Sequence, residues 1–326
     1  MATVGEPLVR EVSEDALLAR IVPLLPPGRA TLLPSGDDAA VVAAADGRFV
    51  VTTDVLVEGR HFRRAWSTGR DVGRRAAVQN LADVAAMGAV PTALVVALGL
   101  PGDLPVAWLE DLARGLADEC GPLGVGVVGG DLSGGSEVTV AVTALGDLEG
   151  RAPVTRSGAR PGDVVAHAGV RGRSAAGFAL LAADLETLDD ELVAAYRHPT
   201  SPVAAGPVAA RAGATAMIDV SDGLLRDAGR LAAASHVLID LDADAFAADR
   251  GRLAAVAEVL GEDPTAWVLG GGEDHGLLAT FPASALVPGP FVVVGRVLAA
   301  PADGAPEVLV GGARPSVPAG WDHFAG

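Results

Sequence analysis

The chain has 326 residues, half of them hydrophobic, which is enough for about two domains of ordinary size with substantial cores. Its formal net charge of −17 excludes nucleic acid as the principal ligand, because phosphate backbones are met by basic patches. All 24 basic residues are arginine, so a Walker-type phosphate loop, a kinase strand lysine and a Schiff-base lysine are all impossible.

In chain order, Ser13 followed by Glu14-Asp15 and an apolar run predicts a capped helix over 16–22. Strands are predicted over 39–44 and 48–53, joined by a turn at Asp46-Gly47. Helical spacing of Val72, Ala76, Leu81, Val84 and Ala85 predicts a helix over 69–88 with Gly88 as its stop. A strand (92–98), a helix (104–119) and strands at 124–128 and 137–145 follow. The uncharged run Val84–Gly102 is broken by Gly88 and Pro91, so no membrane span is expected. A Gly/Pro-rich connector over 146–162 places a domain boundary near 149, separating 1–148 from 149–326. Beyond it come a strand (163–167), helices (173–183, 189–196, 202–212), a strand (216–218), a helix (224–234), a strand (237–241) and a helix (253–260). A glycine-rich turn between two strands is predicted from Trp267 to Phe281, and short strands and loops to 320. Alternating strands and helices in two unequal halves give a mixed α/β (α+β) architecture. Cys120 stands alone, which excludes an internal disulfide and a cysteine zinc site and reads as a small buried hydrophobe. With no basic-then-apolar leader pattern, the chain reads as soluble and cytoplasmic.

Carboxylates are the informative residues. They recur beside glycine or hydroxyls at the ends of strand-like runs: Asp37-Asp38, Asp54 after Thr52-Thr53, Asp131 after Gly129-Gly130, Asp219 and Asp222 in I-D-V-S-D-G, and Glu273-Asp274 after Gly270-Gly271-Gly272. Asp83 joins them from a helical segment. Oxygen donors of this kind suit Mg²⁺, which is held by a few carboxylates together with substrate phosphates, so several of them suggest several ions and a polyphosphate. Each motif also has a plain structural reading. Ser35-Gly36-Asp37-Asp38 and Gly129-Gly130-Asp131 can be turns, the triple glycine a flexible loop, and either Ser221 or Asp222 is expected to cap the next helix. Capping leaves Asp219 unexplained, and a strand has no structural use for Asp54 flanked by hydroxyls. His61 and Trp321 read alone as packing residues, and Arg156 as a solvated arginine or a phosphate clamp.

Taken in order, S-G-D-D-A-A, T-T-D-V-L-V-E-G-R-H-F, N-L-A-D-V-A-A-M-G-A, G-G-D, T-R-S-G-A-R-P-G-D, I-D-V-S-D-G-L and G-G-G-E-D-H-G-L resemble the thiamine-monophosphate kinase family, with a further match at G-W-D-H-F. The resemblance implies the two-domain fold shared with aminoimidazole ribonucleotide synthetase. Its N-terminal domain binds ATP and Mg²⁺ and pairs strands across a homodimer, and its C-terminal α/β domain closes over nucleotide and substrate. It implies phosphorylation of thiamine monophosphate to thiamine diphosphate by ATP with Mg²⁺. Matched by position, Asp38, Thr52, Thr53, Asp54, Asp83, Asp131, Asp219 and Asp222 would hold the ions, with Asp222, Asp54 and Asp131 at the centre of catalysis. Gly130, Asp131, Arg156 and Ser221 would contact ATP, and His61, Glu273 and Trp321 would line the thiamine phosphate site. Leu132 departs from the threonine common after G-G-D, and His275-Gly276 from the usual Tyr-Glu. The tyrosine often preceding the G-G-D strand is absent. Rival readings are a sister enzyme of the selenophosphate-synthetase or hydrogenase-maturation type, or a catalytically silent nucleotide-binding regulator.

Overall fold

The computed structural model describes residues 7–34, 39–300, 305 and 307–321; Asp37 and Asp38 lie outside the described residues. The chain forms two compact units, Met1–Val84 with Pro91–Gly150, and Ala85–Val90 with Arg151–Gly326.

The first unit begins with α1 (Glu14–Ile21), where the Ser13 hydroxyl accepts from Ala16 N–H and two acids occupy the first turn, as its sequence signals require. A two-stranded antiparallel ribbon, β1 (Thr31–Leu33) and β2 (Val41–Val42), precedes β3 (Val50–Val57). Then come α2 (Gly69–Ala86), β4 (Val90–Leu100), α3 (Val106–Leu123), β5 (Gly126–Gly134) and β6 (Thr139–Asp147). The sheet order is β3-β6-β4-β5, with β3 antiparallel to β6 and β4 parallel to β5. Side chains alternate between the two faces of a sheet, and paired residues share a face. Leu56, Val140, Val142, Ala144, Val96 and Leu98 are buried on one face, while Val51, Val55 and Val95 on the other are 65%, 44% and 37% exposed. The helices α2 and α3 cross closely because glycine allows it: a Cβ at Gly73 would collide with Leu112 O, and one at Gly115 with Arg70 O. Cys120 is buried in α3, and burial pushes its thiol up to about 12, so it behaves as the small hydrophobe expected.

The second unit runs β7 (Val164–Ala168), α4 (Arg173–Ala182), α5 (Asp190–Arg197), α6 (Ala205–Arg211), β8 (Ala216–Val220), α7 (Leu224–Ser235), β9 (Val237–Leu241), α8 (Ala247–Leu260), α9 (Pro264–Gly270), β10 (Gly276–Phe281), β11 (Val292–Ala299) and β12 (Val308–Val310). Its six-stranded sheet has the order β12-β9-β11-β7-β10-β8, antiparallel except for β12 beside β9. Strands β7, β8 and β10 are almost wholly buried. Among the described residues, no helix is long and apolar enough to cross a membrane.

Two sequence-based expectations fail here. The segment from Trp267 is a helix, α9, and not a strand. Asp263 caps it by accepting from Thr265 N–H, and Pro264 occupies its first turn. A short apolar run such as Trp-Val-Leu has no periodicity to separate the two. The strands bearing the acids also run on past them: Asp54 is followed by three more residues of β3, and Asp131 by three more of β5. These carboxylates therefore stand within strands, where register decides their direction.

Candidate active site

In the first unit, Asp54 pairs with Val142 and Thr52 with Ala144, so both point to the buried, helix-covered face. There Thr52 Oγ1 donates to Asp83 Oδ2 of α2 at 2.8 Å, which joins two of the predicted oxygen donors directly. Thr53 turns the other way, with Val51 and Val55, and its hydroxyl donates to Val142 O at 2.9 Å. Asp131 pairs with Ala97, on the open face and on the opposite edge of the sheet from Asp54. Three inter-strand spacings of about 4.8 Å separate the two acids. Gly130 is required where it stands, because a Cβ would collide with Val96 O. His61 follows β3 in a turn anchored by buried Phe62. Its Nδ1 accepts from Val57 N–H at 3.0 Å, so the proton of the neutral ring sits on Nε2.

In the second unit, three of the predicted motifs meet. Asp219 is the fourth residue of β8 and is buried opposite Leu277 of β10. The loop that follows is held by backbone contacts: Glu273 N–H donates to Ser221 O at 2.7 Å, and Trp321 N–H to Asp222 O at 2.8 Å. Gly223 has a φ of 121°, and a Cβ there would lie 2.7 Å from Gly270 O. The loops 219–223 and 270–275 and the segment before Trp321 therefore form one assembly. Arg156 is exposed, and its carbonyl accepts from Ser235 Oγ at 2.7 Å.

Neither Ser221 nor Asp222 caps α7; the cap position is Gly223, which has no side-chain hydrogen bond. The N–H groups of Ser221 and Asp222 are instead both taken by Asp227, from within the helix. Asp222 itself pairs with Arg230 at 2.6 Å and lies 3.7 Å from Arg226. Asp227 and Arg230 were not singled out from the sequence; Asp274 was, beside Glu273 after the triple glycine, but without a role of its own. The one signal for Asp227 was an acid early in a helix whose cap is glycine.

Asp274 accepts from the N–H groups of Gly172 and Ser174 at the start of α4. Burial raises its carboxyl from 3.8 to about 6 against the pull of those donors. The native state thus holds a proton that the unfolded chain has already released. The associated stability is present below about pH 4 and is lost as pH rises through about 6. Asp274→Asn, which cannot titrate, is expected to gain thermal stability relative to the parent as pH rises from about 4 to 7. Paired melting curves across that range check the sign.

Donor chemistry on both units is oxygen-only at the predicted metal positions, which matches a hard cation. Among the described residues, however, no three His, Cys, Asp or Glu side chains converge in one chain to hold a metal. The opposed placement of Asp54 and Asp131 accounts for this in the first unit.

Residues 36–148 match the family described as AIR synthase related protein, N-terminal domain. Thiamine-monophosphate kinase of Mycobacterium tuberculosis (strain CDC 1551 / Oshkosh) is 49% identical over 318 residues, covering 98% of this chain and 93% of that protein. This chain belongs to the thiamine-monophosphate kinase family. A crystal structure of thiamine monophosphate kinase from Aquifex aeolicus superposes with a TM-score of 0.74 at 32% identity, covering 85% of this chain and 91% of that one. AaThiL complexed with AMPPCP and TMP gives 0.76 at 33% identity over 88% of this chain and 91% of that one.

Against the usual thiamine-monophosphate kinase pattern, the His275-Gly276 departure now has a local physical account. A Cβ at Gly276 would lie 2.6 Å from Nε2 of buried His167, so the imidazole fills the space of a side chain at 276. His275 is buried with a φ of 49°, and its Nε2 lies 3.3 Å from Glu273 Oε2.

Proposed function

We infer that this chain transfers the γ-phosphoryl group of ATP to the phosphate of thiamine monophosphate, forming thiamine diphosphate. The near-full-length identity to a thiamine-monophosphate kinase carries this reading, and the likeness to AaThiL complexed with AMPPCP and TMP supports it. The acceptor oxygen is already anionic, so direct in-line attack needs no general base; the obstacle is repulsion between two phosphorylated ligands. Mg²⁺, when bound, neutralises and orients those phosphates. The residues that would hold it are Asp54, Thr52, Thr53, Asp83 and Asp131 in the first unit, and Asp219 and Asp222 in the second, with Asp38 outside the described residues. Thr52 and Asp83 support one another as a hydrogen-bonded pair. Gly130, Arg156 and Ser221 take ATP. His61, Glu273 and Trp321 take thiamine monophosphate, whose cationic thiazolium suits the Glu273 carboxylate.

The active form is a homodimer joined through the first unit. Support comes from the sheet face bearing Val51, Val55 and Val95, which this chain leaves open. A second copy laid on that face would bring its own Thr53 and Asp131, which stand on the open side, against the same face of the first. A cytoplasmic location agrees with the charged, phosphorylated substrates and with a lone buried thiol.

The protein incubated with ATP and Mg²⁺ should form thiamine diphosphate from thiamine monophosphate and nothing from thiamine. Product from thiamine, or none from the monophosphate, would overturn the assignment.

A further inference from the structure

The strand-to-helix loop that carries Ser221 and Asp222 is built in an unusual way. Its helix starts at Gly223 without a side-chain cap, and the two backbone donors just before that glycine, Ser221 N–H and Asp222 N–H, need a partner of their own. Asp227, one turn into α7 and fully buried, supplies it: its Oδ2 accepts from Ser221 N–H and from Asp222 N–H, each at 3.0 Å. Its second oxygen accepts from Arg230 at 2.6 Å. The other arm of the same guanidinium reaches Asp222 Oδ2, also at 2.6 Å. One planar fork thus joins the carboxylate that fixes the loop backbone to the carboxylate that faces outward from it.

We propose that Asp227 and Arg230 are positioning residues for phosphoryl transfer: Asp227 clamps the Ser221–Asp222 backbone where nucleotide is bound, and Arg230 aims the Asp222 carboxylate. The proposal rests on the kinase reading above and assigns roles to two residues outside its ligand set. A carboxylate buried only to hold a helix would act on stability alone. A carboxylate that sets the geometry of a nucleotide-binding loop acts on nucleotide binding and not on the acceptor. Arg230 gives a test independent of folding, because its side chain is 38% exposed.

Calorimetric titration with Mg²⁺ and AMPPCP, and steady-state kinetics in both substrates, should be run on the parent chain, Arg230→Met, Asp227→Asn and Asp222→Asn. Arg230→Met and Asp227→Asn are expected to weaken Mg²⁺–AMPPCP binding and to lower kcat/KM for ATP about tenfold or more, the range found for residues that orient metal ligands. The KM for thiamine monophosphate should stay within about twofold, because neither residue touches the acceptor. Unchanged analogue affinity in both variants overturns the proposal. So does an equal loss for both substrates that follows a fall in melting temperature. If Asp222→Asn has full activity, the kinase-site reading fails instead, and the two failures are distinguishable.

Discussion

Asp54→Asn should lower thiamine diphosphate formation on the order of 100-fold or more while the folded protein survives. The exchange is nearly isosteric, and the position is held by eight residues of β3 paired in continuous register with β6. The loss falls on charge at a site where two polyanions must meet. Asp131→Asn should be equally impaired, and the two variants together test how the site is shared. If Asp131 of one subunit serves the Asp54 set of the other, a mixed dimer contains one intact site and one doubly damaged site. An equal mixture of the two inactive proteins, allowed to exchange subunits, should then recover about a quarter of parental activity, since half the dimers are mixed and each has one working site. Recovery depends on dissociation, so it should appear only after dilution or mild denaturant. Near-parental activity of Asp54→Asn alone would remove it from the machinery. Mixed dimers without recovery would place both acids in one subunit's site.

A second large effect is expected on stability. Gly73→Val and Gly115→Val each put a branched side chain where the partner helix's backbone carbonyl already lies. A flexible side chain would give way, but backbone cannot without separating α2 from α3. That separation would also disturb Asp83, which α2 presents to Thr52. Each variant should lose roughly 3 kcal/mol, at the upper end of overpacking penalties, and about 6 °C or more in melting temperature. Gly121→Ala is the control: it is also in α3, but a Cβ there meets nothing within 4 Å. It should change stability by less than about 1 kcal/mol, because the gain in helix propensity is opposed by Pro122, whose ring crowds a Cβ on the residue before it. Thermal melts of the three proteins decide the point, and equal melting temperatures would refute the glycine-crossing account.

Much of the secondary structure was legible because local signals agreed. Ser13 with its two acids, the helical spacing from Val72 to Ala85 and the β-branched run into Thr53 each named an element that is present. Misreadings arose where signals were short or bidirectional. Trp267-Val268-Leu269 carries no period, so its helix is set by Asp263 and Pro264 before it. Strand ends were placed at the acids because aspartate and glycine are poor strand residues. Pairing with β6 and β4 carries β3 and β5 through them.

The candidate site divides along the same line. Which residues carry oxygen donors, and that no lysine can share their work, follows from the sequence alone, since residue type sets ligand chemistry wherever the chain goes. The family was also legible there, because motif order survives any folding. Which donors face one another was not. A strand's side chains change face with every residue, so Thr52 and Asp54 share the α2 side while Thr53 and Asp131 look away from it. Only register and sheet order set that parity. The same holds for Asp227, whose part in the loop depends on two backbone N–H groups brought to it by the turn into α7. Local composition specified the ligands and the elements, while long-range pairing decided the direction in which each ligand points.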